Sequence, residues 1–510
     1  MKTLTQKASL NFISFFLDYM ARILVSLIVT PILVSGLGNA IFGVWQILLR
    51  LVGYLTVADG SPIQALKWII AKDQSLAGND QKRRHIGSAL GVWLFMLPSL
   101  TVLGLLFIWV SPKLTDITPE NFPSVRLACA LLVINLIFST PLTIPESVLR
   151  GMNLGYKRMG IVACIHIVSG LLIAGAIYLH LGLTGVAAAT LTVSIMSGIL
   201  FWYLVKVYVP WFGAARPSLK EIKSFFRMTV WYSLSAIINK LLLAGDVIIL
   251  GFLISSSTVT SFVLTNYFSL SSVAIISMLV GATMPGLGGI LGSKQYDRIS
   301  LLRHEITAMS CVLATAFGTC TLLLNRSFIN LWVGTEYYAG FWTNLLLVII
   351  MVQMVFLNNE SHFINITLNV RKKAILEGLS VILSIGFIMY FIKVMSLPGL
   401  CVGILIGRSL LTFSYPLIVR SFIGVSSKEG QKGIICKMTR PGLVMIALFA
   451  CAAYMGETLL IKSWFTLIVC SVISFPLFFG ISFISGLSRT KQRRLKERFR
   501  KLSIVDTANL

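Results

Sequence analysis

The sequence predicts an all-α integral membrane protein with fourteen transmembrane helices. Three observations support this fold class: 56% of the 510 residues are hydrophobic, only 12% are charged, and the apolar residues form long continuous runs. So few charged residues could not cover a water-exposed surface. Long runs exclude a transmembrane β-barrel, whose strands alternate over about ten residues. The net charge of +25 could indicate a nucleic-acid partner, but no polar stretch is long enough for a binding domain, so none is expected.

The predicted spans follow one another along the chain, because a membrane core about 30 Å thick requires about 20 helical residues. The first run, about 10–34, follows Lys2 and Lys7 as in a secretory signal, but it is too long for one and contains Asp18 and Arg22. We expect it to be retained as the first span. The other spans are predicted near 40–66, 87–110, 123–147, 159–180, 184–206, 229–253, 258–283, 306–324, 341–367, 374–394, 399–419, 441–458 and 464–487.

The basic residues between the spans predict the orientation of the chain. With the N-terminus inside, 34 of the 43 Lys and Arg residues lie in inside segments and four lie in outside loops. Basic loops remain on the cytoplasmic side of a membrane, so both termini are expected in the cytoplasm. The longest outside loop, about 325–340, is too short for a domain. We therefore expect the protein to act within the membrane.

An internal repeat at an offset of 214 residues divides the chain. The matching segments are Glu146-Ser147 with Glu360-Ser361, Lys157-Arg158 with Arg371-Lys372, and Leu183-Thr184-Gly185 with Leu397-Pro398-Gly399. Six spans per repeat give both halves the same orientation, with a substrate path expected between them, which indicates a transporter. The predicted domains are two six-helix lobes, a further helix pair and a basic cytoplasmic tail, at 1–215, 216–430, 431–488 and 489–510.

Five basic residues lie within predicted spans, where a cation costs about 2.5–3.5 kcal/mol on insertion scales. They are the candidates for cavity cations: Arg22, Arg50, Arg126, Lys240 and Arg408. Each could bind an anionic ligand, pair with an acid or extend to the nearer interface. Subtracting the repeat offset from Lys240 gives position 26, one helical turn from Arg22. Both lobes are therefore expected to present a cation from the same face of their first helix.

Five acidic residues are the candidates for cavity or ion-coupling groups: Asp18, Asp59, Glu146, Asp246 and Glu360. Asp18 precedes Arg22 by four residues and could neutralise it. Asp246 cannot neutralise Lys240, because six residues of helix place the two side chains about 240° apart.

The repeat-equivalent acids Glu146 and Glu360 leave two interpretations open. Each could exchange a proton as a cavity opens to alternate sides, or each could bond a neighbouring backbone or basic loop residue. No catalytic group, metal site or cofactor is expected. A nucleotide-binding loop of the G-x-x-x-x-G-K-[ST] type does not occur, so this chain alone is not expected to use ATP.

Several further motifs occur in a fixed order among the spans. They are Pro31 to Gly43, Asp246-Val-Ile-Ile-Leu, Pro285-Gly286-Leu287, Leu331-Trp332-Val333-Gly334 and Tyr337-Tyr338-Ala339-Gly340. In these motifs, over nearly its whole length, the chain resembles the polysaccharide flippases of the multidrug, oligosaccharidyl-lipid and polysaccharide exporter (MOP) superfamily. It departs from the family pattern after the second span, where Asp59-Gly60-Ser61-Pro62 replaces an acidic residue followed by Gly-Leu.

The resemblance implies a MOP-type flippase fold with two lobes around a cationic cavity. Such a cavity binds an undecaprenyl-pyrophosphate-linked oligosaccharide and releases its sugar head outside the bacterial inner membrane. The implied partners are this lipid-linked substrate and other polysaccharide assembly proteins, while the basic tail is expected to bind anionic lipids. The alternatives are a multidrug exporter of the same superfamily, with fewer cations, and a polysaccharide polymerase or ligase, which needs catalytic groups on a sizeable outside loop.

Overall fold

A computed structural model of the protein describes residues 4–55, 62–72, 78–115, 117–152, 154–158, 160–292, 295–366, 370–423, 429–487 and 492–493, and these residues contain helices and no strand. The α-helices are α1 (Leu4–Leu37), α2 (Asn39–Leu55), α3 (Pro62–Lys72), α4 (Asn79–Val110), α5 (Phe122–Gly151), α6 (Ile161–Tyr178), α7 (Gly182–Tyr208), α8 (Leu219–Leu253), α9 (Ser256–Thr265), α10 (Tyr267–Gly292), α11 (Tyr296–Trp332), α12 (Phe341–Ile366), α13 (Val370–Ile423), α14 (Glu429–Thr458) and α15 (Trp464–Gly486). The all-α membrane class is confirmed.

The predicted spans lie on these helices, although the correspondence is not one to one. The second predicted span covers α2 and the start of α3, and the eighth overlaps α9 and α10, which meet at a bend of 47°. Within the described ranges, ten helices are long and apolar enough to cross a membrane, or eleven if the bent pair is one span. The count of fourteen stays a prediction.

Helix α13 contains two predicted spans, because the chain reverses direction within it. Ser396 interrupts the helix with φ 54° and ψ −126°. Beyond it, the second arm packs back along the first, with Gly403 beside Ile388. A Cβ atom at Gly403 would lie 2.6 Å from Ile388 Cα, so only glycine permits this approach of the two backbones. The two arms are therefore antiparallel, as expected for the eleventh and twelfth spans.

The chain forms two compact units, Met1–Thr260 and Ser261–Leu510. In the first unit, α5 packs against α7 and α3, α1 packs against α6, and α8 packs against α2 and α4. An apolar core between these helices includes Leu66, Val148 and Phe201. The division into lobes at 215/216 was inferred from the repeat and stays a prediction.

The second unit is built around α11, which packs against α10, α12, α14 and α15. Its core includes Ile276, Leu322 and Phe449. Outward faces carry large apolar side chains such as Ile382 and Phe413. Helices satisfy their backbone polar groups internally, so such apolar faces can contact lipid directly.

Candidate functional site

Arg22 lies exposed on α1. Its guanidinium carbon is 5.1 Å from the centre of the Tyr19 ring, and His166 of α6 lies within its electrostatic range. The Asp18 carboxylate, one turn earlier, lies 3.3 Å from Nη2 of Arg158. The structure therefore gives Asp18 a partner that differs from the one suggested by its spacing from Arg22.

Arg50 and Asp246 belong to a small polar group between two helices of the first unit. Arg50 is half-buried on α2, and the Tyr54 side chain, one turn later, lies within electrostatic range of both Arg50 and Asp246. Asp246, on α8, accepts a hydrogen bond of 2.9 Å from the backbone N–H of Val247. Asp246 thus has a neighbour on α2, and the prediction that it does not neutralise Lys240 stays a prediction.

The remaining candidate residues occupy different environments. Arg126 is exposed near the start of α5, whereas Arg408 is only 4% exposed in the second arm of α13. Lys240 is part of α8, but its side chain lies outside the described residues, as does all of Asp59. The prediction that Arg22 and Lys240 face one cavity therefore remains a prediction.

Arg158 links acids from two helices of the first unit. Its Nη1 lies 2.5 Å from Glu146 Oε1 on α5, while its Nη2 faces Asp18 on α1. Arg150 Nη2 lies 2.6 Å from the same Glu146 oxygen. Burial and the Arg150 cation lower the pKa of the Arg158 guanidinium, whereas the Glu146 and Asp18 carboxylates raise it. The guanidinium stays charged, so this network joins the middle of α1 to the C-terminal end of α5 through the short 3-10 helix Gly155–Arg158.

Glu360 forms a similar ion pair in the second unit. Arg303 of α11 donates from Nε and Nη2 to the two carboxylate oxygens, at 3.1 and 2.6 Å. The Glu360 side chain is 2% exposed. Bidentate hydrogen bonds between an arginine and a carboxylate are among the strong ones in proteins. Both repeat-equivalent glutamates are thus held by arginines, although the arginines come from different elements. This geometry supports a structural role for Glu146 and Glu360.

A buried polar group formed by residues of α12 and α13 was not predicted from the sequence. The Lys373 ammonium lies 3.7 Å from Glu377 Oε1 and donates to Asn365 Oδ1 at 3.1 Å. Tyr415, on the second arm, donates to Glu377 Oε1 at 2.7 Å. The opposite charges of Lys373 and Glu377, at positions i and i+4 of one helix, could have predicted this ion pair. Nothing in the sequence indicated Tyr415, because its contact depends on how the two arms pack.

The Tyr337–Gly340 motif has a clear packing role. Tyr338 Oη donates to Glu457 Oε1 at 2.8 Å, and Arg326 Nη1 lies 2.9 Å from Glu457 Oε2. Burial and this hydrogen bond to the carboxylate raise the pKa of the Tyr338 hydroxyl. Tyr338 therefore joins the segment between α11 and α12 to the end of α14, and Arg326 joins α11 to the same carboxylate.

Most of these charged groups are held in ion pairs, whereas the Arg22 guanidinium is exposed on α1. Within the described parts of the chain, no group of three or more His, Cys, Asp or Glu side chains could hold a metal ion.

Comparison with solved structures identifies the fold. An inward-facing multidrug resistance MATE family transporter of the MOP superfamily matches with a TM-score of 0.64 and 15% identity, over 82% of this chain and 100% of that one. An outward-facing transporter of the same description matches with 0.57 and 16%, over 83% and 96%. A MOP superfamily transporter from Pyrococcus furiosus, described as having a binding pocket of reverse polarity, matches with 0.56 and 16%, over 82% and 96%. At such identities the likeness shows the MOP-type fold alone.

Sequence comparison gives the family. No curated protein matches the chain significantly. A family model described as "Polysaccharide biosynthesis protein" matches residues 9–290, which is more than half of the chain. The protein, a multi-pass membrane protein with the fold of MOP superfamily transporters, therefore belongs to the polysaccharide biosynthesis protein family.

Proposed function

We propose that the protein is a flippase that moves undecaprenyl-pyrophosphate-linked oligosaccharide repeat units across the bacterial cytoplasmic membrane. The observation that carries this proposal is a polysaccharide biosynthesis family match on a chain with a transporter fold. A transporter in polysaccharide synthesis has an obvious cargo, because the lipid-linked sugar is too polar to cross the membrane core unaided. Alternating access between two repeats would move the sugar head while the lipid stays in the bilayer.

The intramembrane cations support an anionic cargo. Arg22 is exposed on α1, and Arg50 lies beside Tyr54 on α2, so the first unit offers two guanidinium groups within predicted spans. Guanidinium groups match the geometry of phosphate oxygens. A diphosphate linkage is therefore a suitable ligand for these residues, with Lys240 as a further proposed contact.

A multidrug exporter would have the same fold, but this alternative function has no better support than the flippase function. The solved MATE transporters are 15–16% identical to this chain. An exporter of that kind would need fewer intramembrane cations than the five found in the predicted spans. A polymerase or ligase is disfavoured by the short outside loops, which leave little room for a catalytic centre.

The test is deletion of the gene in its native host, followed by analysis of lipid-linked intermediates in spheroplasts. We expect completed repeat units to accumulate and to resist a membrane-impermeant sugar oxidant, since they would remain on the cytoplasmic face. Complementation with the intact gene should reverse this. Accumulation of oxidant-accessible single repeat units would indicate a polymerase instead. Normal surface glycan combined with increased drug sensitivity would indicate an exporter.

A further inference from the structure

The outward face of α7 in the first unit is apolar along the helix and ends in aromatic and basic residues. Phe201 and Val205 lie on the inner face, in the core that α7 shares with α5. The exposed side chains of the other face are Ile195, Met196, Ile199, Trp202, Tyr203 and Lys206. Their spacing places them in one stripe along the helix. Because a membrane helix satisfies its own backbone polar groups, such a stripe can contact lipid chains directly.

Two lysines lie against aromatic rings where the stripe ends. The Lys206 ammonium is 4.2 Å from the centre of the Trp202 ring, one turn earlier on α7. The Lys157 ammonium, on the 3-10 helix before α6, is 4.5 Å from the centre of the Tyr208 ring and 5.6 Å from that of Tyr156. Among the described residues, neither lysine forms an ion pair, so their charges are available to an anion. We refer to these five residues as the α7 aromatic–basic cluster.

Both lysines of the cluster project from segments that are fixed in place. Lys157 directly precedes Arg158, whose buried guanidinium pairs with carboxylates of α1 and α5. The segment after α7 is bonded to α4, because Arg83 Nε donates to the backbone oxygen of Trp211 at 2.8 Å. The backbone on either side of the cluster is therefore preorganised, which lowers the entropic cost of binding a ligand.

The ligand that fits this surface has an anionic head and apolar chains. In the predicted orientation, the C-terminal end of α7 lies at the cytoplasmic face of the membrane. Tryptophan and tyrosine rings are enriched at the level of the lipid headgroups, and basic pockets on this side bind anionic headgroups. A free phosphate ion would leave the apolar stripe of α7 unused, whereas the acyl chains of a phospholipid would cover it.

We propose that the α7 aromatic–basic cluster binds an anionic phospholipid of the cytoplasmic leaflet. The lipid phosphate accepts hydrogen bonds from the two ammonium groups, and the acyl chains lie along the apolar stripe. A resident phospholipid suits this surface better than a transported lipid, because the other face of α7 packs against α5 and separates the cluster from the interior of the unit. The inference goes beyond the proposed function, since a lipid bound to the folded protein stabilises it whatever cargo is moved.

Photocrosslinking tests the site in the full-length protein. The protein is reconstituted into phosphatidylcholine vesicles that contain a trace of photoactivatable phosphatidylglycerol, and the crosslinked peptides are identified by mass spectrometry. We expect crosslinks on α7 near Trp202. Their yield should fall about tenfold in the Lys157→Gln, Lys206→Gln double variant, because each lysine near the headgroup attracts the anionic lipid. An undiminished yield in this variant, or a parent protein without crosslinks on α7, would overturn the proposal.

The Lys220→Gln, Lys223→Gln double variant is the charge-matched control. Both lysines are exposed at the start of α8, on the side predicted to face the cytoplasm, and the loss of charge is the same. The yield on α7 should stay at the parent level in this variant. An equal fall in both double variants would show that overall charge attracts the lipid, and would reject a specific site.

Unlabelled competitors identify the ligand. Phosphatidylglycerol should displace the probe from α7, whereas inorganic phosphate at the same concentration should not, because it lacks the acyl chains that the stripe binds. Displacement by inorganic phosphate would reject a lipid site. Stronger displacement by undecaprenyl diphosphate than by phosphatidylglycerol would assign the surface to the cargo and reject the resident phospholipid. Neither result depends on whether the protein transports lipid-linked oligosaccharide, so the site and the proposed function can fail separately.

Discussion

Gly182 and Ser396 occupy equivalent positions in the two repeats, and both have positive φ angles, 58° and 54°. Each lies where the chain turns between two helices, Gly182 at the start of α7 and Ser396 between the arms of α13. Positive φ is easy for glycine and strained for serine. Both repeats thus have a positive φ angle at this turn, although the second half does not carry the residue best suited to it.

Replacing Ser396 by glycine should stabilise the protein. The substitution relieves backbone strain of the order of 1 kcal/mol, which we expect to raise the thermal unfolding temperature in detergent. Ser409→Gly is the matched control, because Ser409 has helical geometry on the second arm and a glycine there should destabilise by about 0.5–1 kcal/mol. A lower unfolding temperature for Ser396→Gly would show that the turn is not strained.

The sequence predicted the helices well because each span is a local feature. Hydrophobic length and basic loops can be read from consecutive residues, and the gap between the eleventh and twelfth predicted spans contains Ser396. The partners of the charged residues were not predictable in the same way. Arg303 pairs with Glu360, which lies 57 positions later in the sequence. Arg158 pairs with Asp18, which belongs to a distant helix, α1. Such contacts depend on which helices pack together. The periodicity of a single sequence does not show which helices are neighbours.

The predicted orientation can be tested with reporter fusions. Because basic residues are concentrated in the inside segments, a fluorescent protein fused after Lys437 should be active in the cytoplasm. An alkaline phosphatase fused near Tyr337 should be active outside. Phosphatase activity after Lys437, or fluorescence from a fusion near Tyr337, would contradict the orientation.

Arg158→Ala should destabilise the first unit strongly. The Arg158 side chain is 4% exposed, and its removal leaves the Asp18 and Glu146 carboxylates without this partner. Breaking a buried ion pair from one side costs about 3–5 kcal/mol. The neighbouring Lys157→Ala is the control, since the Lys157 ammonium lies over the faces of the Tyr156 and Tyr208 rings. Equal unfolding temperatures for both variants would show that the network contributes little.

Arg22 and Lys240 are predicted to contact the diphosphate of the cargo. Replacing either residue by alanine should abolish surface glycan while the protein remains in the membrane, because a cation lost from the path removes a phosphate contact. Lys113→Ala, which removes an exposed lysine outside the predicted spans, is the charge-matched control. Normal surface glycan from the Arg22→Ala, Lys240→Ala double variant would rule out this role.

Substitution of Glu146 and Glu360 by glutamine distinguishes a structural role from a role in proton coupling. Both carboxylates pair with arginines, so we expect Glu146→Gln and Glu360→Gln to lower stability without changing how transport in reconstituted vesicles depends on a pH gradient. Glu360→Gln should have the larger effect on the unfolding temperature, because its side chain is 2% exposed and that of Glu146 is 19% exposed. Loss of one charge leaves Arg303 buried without an ionic partner.

The glutamine variants decide between the two roles because they keep size and hydrogen bonding but cannot titrate. A proton carrier must bind and release its proton during each transport cycle, so at least one glutamine variant of a coupled pair would lose its response to the pH gradient at unchanged protein yield. If Glu146 and Glu360 only hold helices in place, the double variant should transport at a lower rate at most and still respond to the gradient as the parent does. Abolition of that response, with the unfolding temperature unchanged, would assign proton coupling to these residues.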